Sequence, residues 1–430
     1  MMTTNNKLFI LLVTILVSIM ATTAEVTPVY VNIGFTAQQD EMRVSWYTVN
    51  NSTAGVVRYS NQSMELDLAA GATASASSSS TEYGEFPGWF GFVNTAVMSG
   101  LAPLTQYFYQ VGDASADVWS PVFNFTTGAG ATVFKPFAFS VYGDMGGGNY
   151  MLNVDSLITN SDRFDWILHV GDIAYADYSN SSSNKGIRSG MLGNMTVWND
   201  FMTSITPFSA HQSYMTCIGN HDAFLNKSAY TTTWIMPSES PLITWYAFDY
   251  NGVHFVSMST ENDYAPGSEQ YVWLENHLQQ FRASNPNTWL IVYGHRPFYC
   301  TTVINWCMGT NNLALYEAMD PLMMKYNVDI FIAGHTHAYE RSFPVYDKVV
   351  AGTFAEPKAT VYISVGVGGN WEGLDPLFNV DKPHWADYRK TELGYGILNV
   401  VNETTIHWQF IQQSDDTAVM DQFTLIKGTF

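Results

Sequence analysis

Between residues 137 and 337, five apolar runs end in glycine followed by a residue that can donate to a metal. "FAFSVYGD" ends at Asp144, "WILHVGD" at Asp172, "YMTCIGN" at Asn220, "WLIVYGH" at His295 and "VDIFIAGH" at His335, with His337 two residues on. Any one of these is ordinarily a turn or a core histidine. Together they present carboxylates, imidazoles and an amide oxygen without a thiolate, a donor set suited to iron, zinc or manganese. They are more donors than one first-row ion accepts while keeping open positions. Two ions about 3.5 Å apart, bridged by one carboxylate, would use them all. Tyr175, three residues past Asp172, reads on residue type alone either as a core aromatic or as a further ligand.

The elements that must position these residues are strands. Each run is short and apolar, as expected of a strand buried on both faces. Glycine at its end lets the chain turn and approach a bound group closely. In α/β sheets, functional groups collect beyond the carboxyl ends of the strands. The runs alternate with amphipathic stretches over 268–283 and 312–327, predicting an α/β domain over 131–430. Upstream, residues 25–130 carry runs rich in β-branched and aromatic residues, including "EMRVSWYTV", "AGVVRYS" and "TQYFYQVGD". Their spacing predicts an antiparallel β-sandwich, with "ATASASSSSTEYG" as a Ser-rich loop. A composition shift at 128–137 separates the two regions, and no chemistry is visible in the first.

The 430 residues carry a formal net charge of −20. Such a polyanion is a poor binder of nucleic acid or of an anionic membrane. An anionic substrate therefore needs a strong local cation, which a pair of metal ions would provide. Residues 1–24 have the layout of a secretory signal: Lys7, an apolar run, then small residues at Ala21 to Ala24. No later apolar run is long enough to span a bilayer, so no membrane association is expected after signal cleavage. Asn51, Asn61, Asn124, Asn180, Asn194, Asn226 and Asn402 each begin a glycosylation sequon. Cys300 and Cys307 flank a short loop and are a candidate disulfide, while Cys217 sits in an apolar run and reads as a buried thiol. An extracellular or lysosome-like acidic destination follows.

The blocks "GDMG" (143–146), "GDIAY" (171–175), "GNHD" (219–222), "VYGH" (292–295) and "GHTH" (334–337) resemble, in order and spacing, those of the metallophosphoesterases. "MRVSWYT", "YFYQVGD", "FNFTTG", "GHTHAYER" and "GVGGNWEG" extend the resemblance over nearly the whole mature chain, to the two-domain, plant-like purple acid phosphatases. The resemblance implies a four-layer α/β/β/α metallophosphoesterase sandwich preceded by an all-β fibronectin-III-like domain. It implies that Asp144, Tyr175 and His337 hold Fe(III), that Asp172 bridges, and that Asn220, His295 and His335 hold a divalent zinc, iron or manganese. The implied activity is that of a secreted acid phosphatase, hydrolysing phosphate monoesters by attack of a metal-bound hydroxide. A small phosphoester is the expected partner, and a homodimer is one possible assembly. A phosphodiesterase, nucleotide pyrophosphatase or phytase would use the same centre, and a non-catalytic secreted binding protein is the remaining alternative.

Asn220, His221 and His295 are the expected substrate contacts, with His221 as general acid. The family's Gly-Asn-His-Glu block ends here in Asp222, which puts the support of His221 in question. The loop after His295, "RPFYCTTVINWC", lacks the histidines of many plant relatives. Arg296 or Tyr299 is the alternative substrate contact there. Glu340 and Arg341 are expected to form an ion pair beneath the metals.

Overall fold

The computed structural model describes residues 26–62, 74–83, 91–130, 132–147, 153–177, 193–239 and 244–428. The proposed signal and Asn180 lie outside the described residues.

Two sheets form the larger region. The first has six strands in the order Tyr214–Thr216, Trp166–His169, Phe137–Tyr142, Gly394–Asn402, Thr405–Gln412 and Asp415–Ile426. Its first three strands are mutually parallel, with Tyr142 opposite His169 and His169 opposite Thr216. The second sheet has seven strands, of which Val253–Ser257, Leu290–Tyr293, Ile330–Ala333 and Val361–Val365 run parallel in that order. Parallel order requires long crossovers; in this sheet Glu269–Ser284 and Thr310–Lys325 are the helices of two of them, while the third, between Ile330–Ala333 and Val361–Val365, runs through the short strands Tyr339–Ser342, Val345–Tyr346 and Val349–Val350.

Alternation along the strands decides which face meets which layer. Phe139, Trp166 and Phe255 interlock between the two sheets, with Phe139 and Trp166 stacked at 4.4 Å and Trp166 edge-on to Phe255 at 5.0 Å. Val256, Leu290, Val292 and Phe331 point the other way, into a cluster with Leu274, Leu278, Leu315, Met319 and Met323 of the helices Glu269–Ser284 and Thr310–Lys325. On the outer side of the first sheet, helix Met195–Ser209 buries Trp198, Phe201, Met202 and Ile205. The layers are thus helix, sheet, sheet, helix. Helix Glu269–Ser284 begins where expected because Ser268 accepts the N–H of Tyr271, closing an exposed donor of the first turn.

The N-terminal region is a β-sandwich. One sheet has the order Val29–Phe35, Met42–Thr48, Gly91–Met98, Ser79–Tyr83; the other contains Ala74–Ser77, Gly55–Ser60, Gln106–Asp113 and Val118–Trp119, with Phe123–Thr126 also on Gln106–Asp113. The Ser-rich stretch is therefore not a loop. It supplies one edge strand to each sheet, and Ser78 is the crossing point. Small hydroxyl residues carry little strand signal, but an edge strand with its side chains in solvent needs only its backbone pairs. The sandwich docks on the larger region through Tyr109 Oη, which donates to the Ala210 carbonyl at 2.7 Å, through Tyr47, buried in the core of that region, and through Phe35, half-buried against it. Among the described residues, no helix is long and apolar enough to cross a membrane.

Candidate metal centre and cavity

All seven expected ligands lie beyond the carboxyl ends of the parallel strands, in two contiguous groups. In the first, Tyr175 Oη stands 3.2 Å from Asp144 Oδ1 and 3.0 Å from His337 Nε2, and His337 Nε2 stands 3.4 Å from Asp144 Oδ1. In the second, His295 Nε2 stands 3.1 Å from Asp172 Oδ2 and 3.2 Å from Asn220 Oδ1. One donor atom each of Asp172, His295 and His335 falls within 4.8 Å of the others. The groups are tied together because the His335 N–H donates to Asp144 Oδ2 at 2.8 Å.

The tautomers are set from behind. His295 Nδ1 donates to the Val170 carbonyl at 2.9 Å and His337 Nδ1 to the Gly373 carbonyl at 2.8 Å. In the neutral rings each Nε2 therefore turns a lone pair toward carboxylate, amide or phenol oxygens. Lone pairs aimed at one another repel unless a proton or a cation lies between them. Without a metal, protons do this: burial opposes charge on both rings, but Asp172 holds His295 up at about 10, and Asp144 holds His337 up at about 9. The His335 imidazole is pushed well down by burial and by the neighbouring His295 and Arg296. Burial, with Asp144 and Asp172 close by, raises the Tyr175 phenol, so only a strong local cation would draw off its proton. This convergence of hard and borderline donors fits a pair of metal ions.

The backbone is bent to make that convergence. Asp144, Asp172, Tyr175 and His335 all have left-handed φ, at 60°, 51°, 54° and 66°. For non-glycine residues this costs on the order of 1–3 kcal/mol each, and such strain gathers at functional sites. Glycine is required where the loops meet: a Cβ on Gly219 would collide with the backbone nitrogen and Oδ1 of Asp172.

A cavity of about 970 Å³ opens over the second group, with Asp172, Asn220, His221, Arg296, His335 and His337 in its walls. His221 is buried, its Nδ1 3.0 and 3.1 Å from the two Asp177 oxygens and its Nε2 3.9 Å from Glu372 Oε2. Its ring stacks on Tyr175 with centroids 4.2 Å apart. Burial works against its charge, but Asp172, Asp177 and Glu372 raise its pKa overall.

Several expectations are corrected. Asp222 does not touch His221 in any described contact; it ties Ile173 N–H and Gly219 N–H at 2.9 Å each, so its shorter side chain serves the loop backbone. Support of His221 comes from Asp177. Glu340 and Arg341 do not pair: Glu340 accepts the Thr301 N–H and hydroxyl, and Arg341 forks onto Asp421. They leave their strand on opposite faces, which adjacent strand residues must. Tyr299 is buried against Asp320, away from the cavity, whereas Arg296 does line it. Cys300 and Cys307 are bonded, and Cys217 is a buried free thiol. Of the sequons, Asn51, Asn61, Asn226 and Asn402 are exposed; Asn124 and Asn194 are half-buried, and Asn194 caps its helix.

Asp177, Asn370, Glu372 and Asp375 were not singled out from sequence. Asn370 Nδ2 donates to the Asp144 carbonyl at 2.9 Å, and Asp375 Oδ2 accepts the His337 N–H at 2.8 Å. Their only signal is proximity to recognised blocks: Asp177 follows "GDIAY", and the others lie in "GNWEGLD".

Comparison with known proteins agrees with this arrangement. Residues 28–127 match the model of the purple acid phosphatase N-terminal domain, 139–339 that of the calcineurin-like phosphoesterases, and 359–422 that of the iron/zinc purple acid phosphatase-like protein C. The chain is 31% identical to acid phosphatase type 7 of Danio rerio, covering 93% of this chain and 91% of that one. It is 30% identical to probable purple acid phosphatase 20 of Arabidopsis thaliana, covering 88% and 83%. It is 28% identical to Fe(3+)-Zn(2+) purple acid phosphatase 12 of the same plant, covering 87% and 79%. A purple acid phosphatase from yellow lupin seeds superposes with a TM-score of 0.81 at 22% identity, covering 94% of this chain and 75% of that one. On strand order, metal-type donors and extent of similarity together, this chain belongs to the purple acid phosphatases and is a hydrolase.

Proposed function

We propose that the protein is a secreted acid phosphatase that hydrolyses phosphate monoesters at a dinuclear centre of Fe(III) and a divalent zinc, iron or manganese. Asp144, Tyr175 and His337 would hold the ferric ion and Asn220, His295 and His335 the divalent one, with Asp172 shared. The single observation that carries this is the aiming of His295 Nε2 and His337 Nε2 at oxygen acceptors, at 3.1 and 3.4 Å from carboxylate. Iron with zinc is supported by the Arabidopsis relative whose name states that pair. Secretion is supported by the bonded Cys300 and Cys307, which suits an oxidising compartment. When bound, the ions supply a water acidified toward hydroxide at low pH and positive charge beside the phosphoryl oxygens.

The chain's own residues do the rest. Asn220 lines the cavity where the phosphate would enter, and His295 Nε2 stands 3.2 Å behind its Oδ1. His221 presents Nε2 to the cavity while Asp177 holds Nδ1 and Tyr175 backs the ring, so one orientation is kept. Carrying a proton there, it donates to the ester oxygen as the P–O bond breaks. One water is consumed, and alcohol and inorganic phosphate leave. Asp172→Asn tests the reading: phosphomonoester hydrolysis should fall by several orders of magnitude with the fold retained, and full activity would refute a shared carboxylate.

A further inference from the structure

Beyond the reacting phosphate of the phosphatase reading, the remaining walls of the cavity bear on what else the substrate carries. Resting on that reading, we propose that the enzyme selects phosphomonoesters whose alcohol bears no further negative charge, favouring those with a positive charge near the ester, such as amino-alcohol phosphates.

The charges around the cavity carry the inference. Asp177, Glu372 and Asp375 line it, and Arg296 is the one lysine or arginine among the described lining residues. Arg296 is already matched: its Nε lies 2.6 Å and its Nη2 3.0 Å from the two oxygens of Glu261, a fork-on-fork pair. Its guanidinium also lies 4.5 Å from the centre of the Trp306 ring, and its Nη1 stands 3.1 Å from His335 Nε2. A second phosphate would therefore find no unengaged guanidinium or ammonium among the described walls. It would instead meet carboxylates, in a chain of net charge −20. Polyanion binders need several cationic side chains beyond the reacting centre, and like-charge juxtaposition is an effective means of rejection. Glu372 is best placed to discriminate. Its carboxylate is one-third exposed and stands 3.9 Å from His221 Nε2, beside the point where the leaving alcohol departs. A cationic group there would lie beside the Glu372 carboxylate.

The test compares kcat/KM of the metal-loaded enzyme on 2-aminoethyl phosphate, glycerol phosphate and inositol hexakisphosphate at one acidic pH. The expected order is cationic, then neutral, then polyanionic, with about tenfold or more between the last two at low salt. Added salt should narrow both gaps, because screening weakens exposed charges first. Glu372→Gln should move both ratios toward one. Equal or better turnover of the polyanion, with glycerol phosphate also hydrolysed, would overturn the inference and leave the phosphatase reading intact; so would ratios indifferent to Glu372→Gln. Hydrolysis of none of the three would sink the phosphatase reading itself.

Discussion

His221 points Nδ1 at both oxygens of Asp177, at 3.1 and 3.0 Å, and turns Nε2 to the cavity. The pair fixes both the direction of the ring and its charge. Its pKa stands above the ordinary histidine value, because the carboxylates outweigh burial. A raised folded pKa means that the pair stabilises the protein fully below about 6.5, and that this is lost as pH rises through the higher folded value. In the metal-free chain the charged ring is therefore favoured in the acid range. Asp177→Asn should lower kcat by about ten- to a hundredfold and move the alkaline limb of the pH–rate profile to lower pH. An unmoved alkaline limb would contradict the role of Asp177.

Gly219 permits the loop carrying Asn220 and His221 to lie against Asp172. Gly219→Ala would drive a methyl group into the Asp172 backbone. The loop must shift, at a cost of about 1–3 kcal/mol, and Asn220 and His221 move with it. Expected outcomes are a lower melting temperature and at least tenfold lower kcat/KM. Wild-type kinetics in this variant would show that the close approach is not needed.

The Cys300–Cys307 bond closes the loop that places Ile304, Asn305 and Trp306 in the cavity wall. Loop closure over so few residues is worth about 2 kcal/mol. Cys307→Ser should lower the melting temperature by several degrees and raise KM more than it lowers kcat, since the loop chiefly lines the substrate cavity and meets the metal ligands through Trp306, edge-on to His335 at 5.3 Å. A loss confined to kcat would mean that the loop acts on the chemical step.

Far from the cavity, His254 Nε2 and His277 Nε2 lie 2.8 Å apart, and His254 Nδ1 stands 2.7 Å from Asp249. Two imidazoles at this distance share one proton. Burial and the adjacent His254 push His277 down to about 4. A depressed histidine binds its proton more weakly when folded, so its contribution to stability is complete above about 6.5 and is lost as pH falls toward 4. His277→Gln should therefore flatten the decline of melting temperature between those values. An unchanged slope would assign the acid sensitivity elsewhere.

Much of this was legible because the centre sits on buried parallel strands, whose apolar runs are continuous and whose glycine ends are conspicuous. Asp144, Asp172, Asn220, His295 and His335 each follow such an end directly, and Tyr175 and His337 lie only a few residues on. Helices Glu269–Ser284 and Thr310–Lys325 were visible from their amphipathic spacing. What escaped lies where packing, not pattern, decides. Asp177 and Glu372 are single polar residues on loops, and their meeting at His221 depends on how distant strand ends converge. Ala74–Ser77 and Ser79–Tyr83 are strands only because neighbouring strands offer free edges. Glu340 and Arg341 looked paired because they are adjacent in the chain, yet strand geometry separates them.

In the proposed function seven side chains gather two metal ions, with the Tyr175 phenolate on iron. It is tested most directly by metal analysis and the visible spectrum of the purified protein beside Tyr175→Phe. The expected result is two ions per chain, at least one of them iron, and a visible band that Tyr175→Phe abolishes. An iron-loaded protein with no such band, or a band that survives in Tyr175→Phe, would contradict it.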